Sequence, residues 1–215
     1  MENIDKNIAD FRQDTLEVEQ FLTGTRVSYS FFKGQYPELL RDFDKKERDD
    51  EEVEGMEIFK KLNKSVTKYE TEIYKYCFIN LIARTEAFLN DILEALYIWE
   101  NSSLTEKERE KSILNFSHTS FKKKMEFLKR KFNLTFPLIE EHNSDIIELF
   151  STRNIILHNN GLINETYLKI NKTSKFTIGD KKVVDENYLK LTFVLLILIA
   201  KSIEEKVKEK MNASS

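Results

Sequence analysis

Apolar residues recur along most of this chain at the three- and four-residue steps of amphipathic helices. Residues 4–22 carry loosely spaced apolar positions that predict a first helix, interrupted at Thr23, at Gly24 and at 34–37, where Gly34 and Pro37 stand. Helical patterning resumes near Gly55. Between 69 and 99, Tyr74, Cys77, Phe78, Leu81, Phe88, Leu89, Ile92 and Leu96 fall on one side of a helix. A polar break at 101–103 ends that element, and a short helix is predicted over 106–114. Ser117, Thr119 and Ser120 then offer N-cap oxygens to a basic amphipathic helix ending near Phe132. Pro137 separates it from the next helix, predicted over 144–158 and closed by Asn159, Asn160 and Gly161, with the glycine as a left-handed cap. Segment 175–184 breaks the pattern. Phe176, Thr177 and Ile178 favour strand, Gly179-Asp180 a turn, and Val183 and Val184 strand again, which predicts a small β-hairpin. Asp185 caps a last helix over 186–210.

Five glycines and two prolines in 215 residues are too few for a sandwich or barrel, which must reverse the chain repeatedly. The expected class is therefore all-α: a helical N-terminal extension over 1–68, then a helical domain over 69–211. The most apolar run, 193–200, lies between Lys190 and Lys201 and is far shorter than the ~20 residues of a membrane span, so it reads as a buried central helix. No membrane association is expected, and the polar start of the chain, 1–14, lacks the apolar core of an export signal, which makes the cytoplasm the expected location. The single cysteine, Cys77, excludes an internal disulfide and a thiolate zinc site and reads as a small buried hydrophobe.

A formal net charge of −3 argues against general affinity for nucleic acid, but the charge is unevenly placed. Between 41 and 57 acids outnumber bases, the pattern of a solvated linker or helix face. Between 121 and 131, Lys122, Lys123, Lys124, Lys129, Arg130 and Lys131 face only Glu126, which fits a phosphate-facing strip and a plain solvated face equally well.

On the helix predicted over 144–158, Ile146, Phe150 and Leu157 share one line, flanked by Leu149 and Ile156, and Arg153 falls in its middle. A guanidinium keeps its charge and is costly to bury alone, so it must meet a carboxylate such as Glu86, a polar cleft or a second chain. Asn154 and His158, four residues apart, stack beside that line. The group has no serine or cysteine nucleophile and too few ligands for a metal, and no cofactor is implied. It suits phosphate chemistry: histidine moves a proton near neutral pH and arginine offsets charge developing on phosphate oxygens, as attack of a ribose 2′-hydroxyl on its neighbouring phosphodiester requires. His118 and His142 lie among cap and connection residues and read as surface or capping groups. Glu86 borders the apolar stripe of its own helix and reads as structural support.

The run Arg153-Asn154-Ile155-Ile156-Leu157-His158 resembles the Arg-x(4 to 6)-His motif of the HEPN superfamily in its Arg-Asn-x-x-x-His form. Arg84-Thr85-Glu86-Ala87-Phe88-Leu89 is similar to that family's first core helix, 121–132 to its basic second helix, and Asn159-Asn160-Gly161 to the usual sequel of the motif, so the resemblance spans about 69–211. It implies a four- or five-helix bundle that dimerises to bring two motifs together, and a metal-independent endoribonuclease that leaves a 2′,3′-cyclic phosphate. Arg153 and His158 would be catalytic with Asn154 beside them, Glu86 and Asn159 would support them, and Lys122, Lys123 and Lys124 would contact RNA phosphates. One toxin branch of the family carries a tyrosine two residues after the histidine, which a partner modifies with nucleotides; Asn160 stands there in this chain, so control by that route is not expected. The expected protein is a toxin or antiviral effector restrained by an antitoxin or sensor partner. The alternative is a non-catalytic HEPN module for dimerisation or for binding RNA or nucleotides.

Overall fold

Ile4, Ile8, Phe11, Val18 and Leu22, with Thr15 completing the line, follow one another at steps of three, four and seven residues, and all six side chains are buried. They belong to the helix α1, Glu2–Lys46, in a computed structural model that describes residues 2–46, 51–100 and 103–213. The acidic run at 41–57 lies outside the residues whose side chains are described. A helical glycine costs only ~1 kcal/mol, and α1 runs through Gly24 and through 34–37 instead of stopping there. Just past Gly24, Thr25 bonds back to the Phe21 carbonyl and Arg26 pairs with Glu186 of the last helix.

The second helix, α2, Glu51–Trp99, lies antiparallel to α1. The pairing is read from Asn7, whose amide donates to the Asp91 carbonyl at 3.1 Å, from Phe11 stacked on Phe88 at 4.6 Å, and from Arg84 against Asp14 at 2.5 Å. All eight apolar positions expected on one side of α2 are buried, together with Ile82, Leu93 and Tyr97. The last helix, α8, Glu186–Ala213, crosses back along α1 through ion pairs from Asp5 to Lys208, Arg12 to Glu204 and Arg26 to Glu186, at 2.8, 2.5 and 2.9 Å. Asp185 caps it as expected, accepting the Tyr188 N–H at 2.8 Å. One hydrophobic cluster extends from Ile4 to Met211, so the N-terminal helix is part of the same core as the rest.

Five shorter helices fill the flank: α3 (Glu106–Ser117), α4 (Phe121–Phe132), α5 (Pro137–Glu141), α6 (Asn143–Asn159) and α7 (Glu165–Ile170). Thr105 and Glu108 form a reciprocal capping box that starts α3. The oxygens expected to cap α4 do not: Ser117 and Thr119 bond back to the carbonyls of Leu114 and Phe116, and Ser120 holds the cap position without a side-chain bond. Phe121 stacked on Phe150 at 4.8 Å fixes α4 against α6.

The hairpin expected at 175–184 is corrected. Gly179, with φ of 89°, does make a turn closed by the Asp180 N–H on the Thr177 carbonyl at 3.1 Å, but its two arms do not pair with each other. The turn and the residue after Lys181 bond instead to the segment after α6: Ile163 N–H to the Asp180 carbonyl, Gly179 N–H to Ile163 and Lys182 N–H to Gly161, at 2.8, 2.9 and 2.8 Å. Only an isolated bridge between Leu162 and Lys181 results. Among the described residues, no helix is long and apolar enough to cross a membrane.

Candidate functional site

Helix α6 carries the motif, and its geometry follows from what each face meets. Ile146, Leu149, Phe150 and Ile156 are buried as the spacing implies, whereas Leu157, expected on the same line, is 46% exposed. The line thus leaves the core one turn beyond Arg153. At that margin the guanidinium meets Glu86 of α2, with Nη2 3.4 Å from Oε2 and side-chain exposures of 25% and 30%. A second donor, Nη1, bonds the Asn154 side-chain oxygen at 3.1 Å. The third, Nε, is shielded from solvent and has no hydrogen-bond partner among the described residues. The guanidinium is therefore anchored on one side and unsaturated on another.

His158 is exposed on the last turn of α6 and makes no hydrogen bond to Arg153 or Asn154 within this chain. The turn beyond the imidazole is tightly fixed. Asn160 and Gly161 both have positive φ, 50° and 77°, and the Gly161 N–H returns to the Ile155 carbonyl at 2.9 Å. A Cβ at Gly161 would stand 3.1 Å from the Lys182 carbonyl oxygen, so only glycine fits where the chain leaves the motif. Asn159 donates to the Leu162 carbonyl at 2.7 Å, holding this turn and not touching the Arg153 group.

The three lysines expected on phosphates divide. Lys122 and Lys123 are exposed, but Lys124 is fully buried, and its Nζ donates to the carbonyls of Phe116 and Ser117 at 2.6 and 3.1 Å and lies over the Phe116 ring. Burial pushes its ammonium down to about 8, while the charge of Glu86 works the other way. Lys124 closes the end of α3 and cannot reach a phosphate. The spacing held the signal: position 124 lies three after Phe121 and four before Leu128, on the apolar line of α4.

A cluster around Glu148 of α6 had no sequence signal. Glu148 Oε1 accepts from Lys182 Nζ at 2.7 Å, Tyr167 hydroxyl at 2.6 Å and Thr152 hydroxyl at 3.0 Å, and Oε2 accepts from the Tyr188 hydroxyl. Burial alone would raise the Glu148 carboxyl, but bonds from Lys182, Tyr167 and Tyr188 together hold it below its ordinary range. Burial and this carboxylate push both tyrosines well above theirs. Tyr167, Lys182 and Tyr188 lie 19, 34 and 40 positions beyond Glu148, and no local spacing relates them.

Compared with protein-family models, with curated proteins and with solved structures, the chain matches none.

Proposed function

We propose that this protein is a HEPN-type, metal-independent endoribonuclease that works as a homodimer, each chain supplying Arg153, Asn154 and His158 to a shared cleft. The observation that carries the reading is the half-satisfied guanidinium of Arg153, held by Glu86 and Asn154 at the edge of the core, on the same helix as an exposed, unengaged His158. In such a cleft an imidazole takes the proton of the ribose 2′-hydroxyl, whose oxygen bonds to phosphorus. The bond to the 5′-oxygen breaks, that oxygen takes up a proton, and a 2′,3′-cyclic phosphate remains. Arginine offsets the charge growing on the phosphate oxygens. A toxin or defence effector of this kind, acting in the cytoplasm, is held in check by an antitoxin or sensor protein.

The second reading is a non-catalytic HEPN dimerisation or binding module. It is favoured by the same ion pair, since Glu86 already neutralises Arg153 without any phosphate. Incubation of RNA with the protein in excess chelator separates the two. The nuclease reading expects fragments with cyclic phosphate ends and a two-fold dimer in sedimentation. Intact RNA, or a strict monomer at micromolar concentration with RNA present, sinks it.

A further inference from the structure

Four exposed basic residues of α4 fall in two pairs with different surroundings. Lys122 and Lys129 turn toward carboxylates, Glu126 at 3.9 Å and Glu140 of α5 at 3.8 Å. Lys123 and Arg130 turn the other way, into a cleft between α3 and α4 of about 610 Å³. Both are exposed, and neither has a carboxylate within ion-pair distance among the described residues. They stand seven residues apart on one helix face, about 10 Å along its axis at 1.5 Å per residue. Asn115 and Thr119 of the facing wall add polar side chains, and the half-buried Phe127 ring lies between the two cations. The one acid in the cleft, Glu126, has Lys122 beside it.

We infer that this α3/α4 cleft is the track of a single-stranded RNA backbone, with Lys123 and Arg130 on two non-adjacent phosphates and Phe127 offering its ring to a base. Two unpaired cations along a groove match a regularly charged chain, and an aromatic ring between them suits stacking that tolerates any base. Paired lysines on the other side already have their counter-charge. The choice of RNA as ligand rests on the ribonuclease reading, whereas the position of the track rests on the lining of the cleft, which takes in Lys123 and Arg130 and leaves out the likewise exposed Lys131.

The test measures binding of a labelled oligouridylate across a salt series, in the His158→Ala background so that cleavage does not enter. Lys123→Ala/Arg130→Ala is compared with Lys129→Ala/Lys190→Ala, which removes the same charge elsewhere. The expected result is at least a tenfold loss of affinity for the first pair and less than twofold for the second. The slope of log affinity against log salt should also fall by about 1.4 for the first pair, since each single-strand phosphate contact contributes about 0.7. Equal losses for both pairs, no loss for the first, or no binding by the parent each overturn the track. If the pair-specific loss appears while wild-type protein leaves RNA intact in chelator, the track stands and the nuclease reading alone falls.

Discussion

Helix α6 carries two polar groups built to opposite rules. On the face toward α7 and α8, Glu148 collects four donors from Thr152, Tyr167, Lys182 and Tyr188, and its ion-pair partner Lys182 is only 12% exposed. In the other group, Arg153 keeps one donor unused, and His158, five residues further along the helix, is open to solvent without a partner in the motif. A buried polar group is tolerated when its hydrogen bonds are complete, so the Glu148 cluster needs nothing from outside the fold. A site for a ligand must leave bonding capacity unspent. The contrast sets a saturated structural group against one with bonding capacity to spare, and substitutions in each group can break that division.

The largest effect is expected at Glu148. Glu148→Ala leaves the mostly buried Lys182 and two tyrosine hydroxyls without their common acceptor. Removal of one partner from a fully buried ion pair costs about 3–5 kcal/mol, and with Glu148 itself 23% exposed the loss should fall toward the lower end of that range. Urea unfolding measures it, and a loss under ~1 kcal/mol would erase the difference between the two groups. The same carboxylate sets an acid limit. Its folded pKa lies below the ordinary 4.5, so the folded chain binds this proton less tightly than the unfolded one. The stability it contributes is complete above that ordinary value and is lost as pH falls through the lower folded value. Glu148→Gln should flatten the dependence of unfolding free energy on pH below about 4.5, and parallel wild-type and variant curves there would contradict the assignment.

That cluster also marks the limit of what the sequence makes legible. The stripe of α2, the Asp185 cap, the bounds of α4 and α6 and the pairing of Arg153 with Glu86 follow from spacings within one helix or from a charge in need of a partner. Periodicity encodes which side of a helix is buried. It does not encode which distant segment supplies a hydroxyl or an ammonium, and so the convergence of Tyr167, Lys182 and Tyr188 on Glu148 stayed hidden. The failed hairpin has the same origin: the turn residues 179–182 bond to the distant segment 161–163, which no local pattern announces, and the strand-favouring residues on either side are left unpaired with each other. Lys124 is a different case, because its place on an apolar line was readable and the charge run around it concealed it.

An intermediate effect is expected at Arg153. The ion pair with Glu86 is roughly a quarter exposed on each side, so solvent screens part of it, and Arg153→Ala should cost about 1–2 kcal/mol, between the values typical of surface and buried pairs. A double-mutant cycle with Glu86→Ala isolates the pair itself. A coupling near zero would mean that Glu86 does not hold the guanidinium, and Arg153 would lose its anchor on the core side.

The smallest stability effect and the sharpest test of the division fall on His158. Its imidazole is exposed at the end of α6 and makes no hydrogen bond to Arg153 or Asn154, so His158→Ala should change unfolding free energy by no more than about 0.5 kcal/mol, the usual range for surface positions away from caps and cores. The turn beyond it is held by Asn159, Asn160 and Gly161 through bonds that do not involve the imidazole. Proton transfer is worth roughly 10²–10⁴ in rate, so the same substitution should reduce RNA cleavage by that factor while the dimer persists. Melting, sedimentation and cleavage in chelator are measured on one preparation, because only their combination is diagnostic. A large loss of stability would place His158 with Glu148 among the structural groups. Full cleavage by a stable, dimeric variant would remove His158 from the proposed chemistry and leave the binding module as the reading that fits.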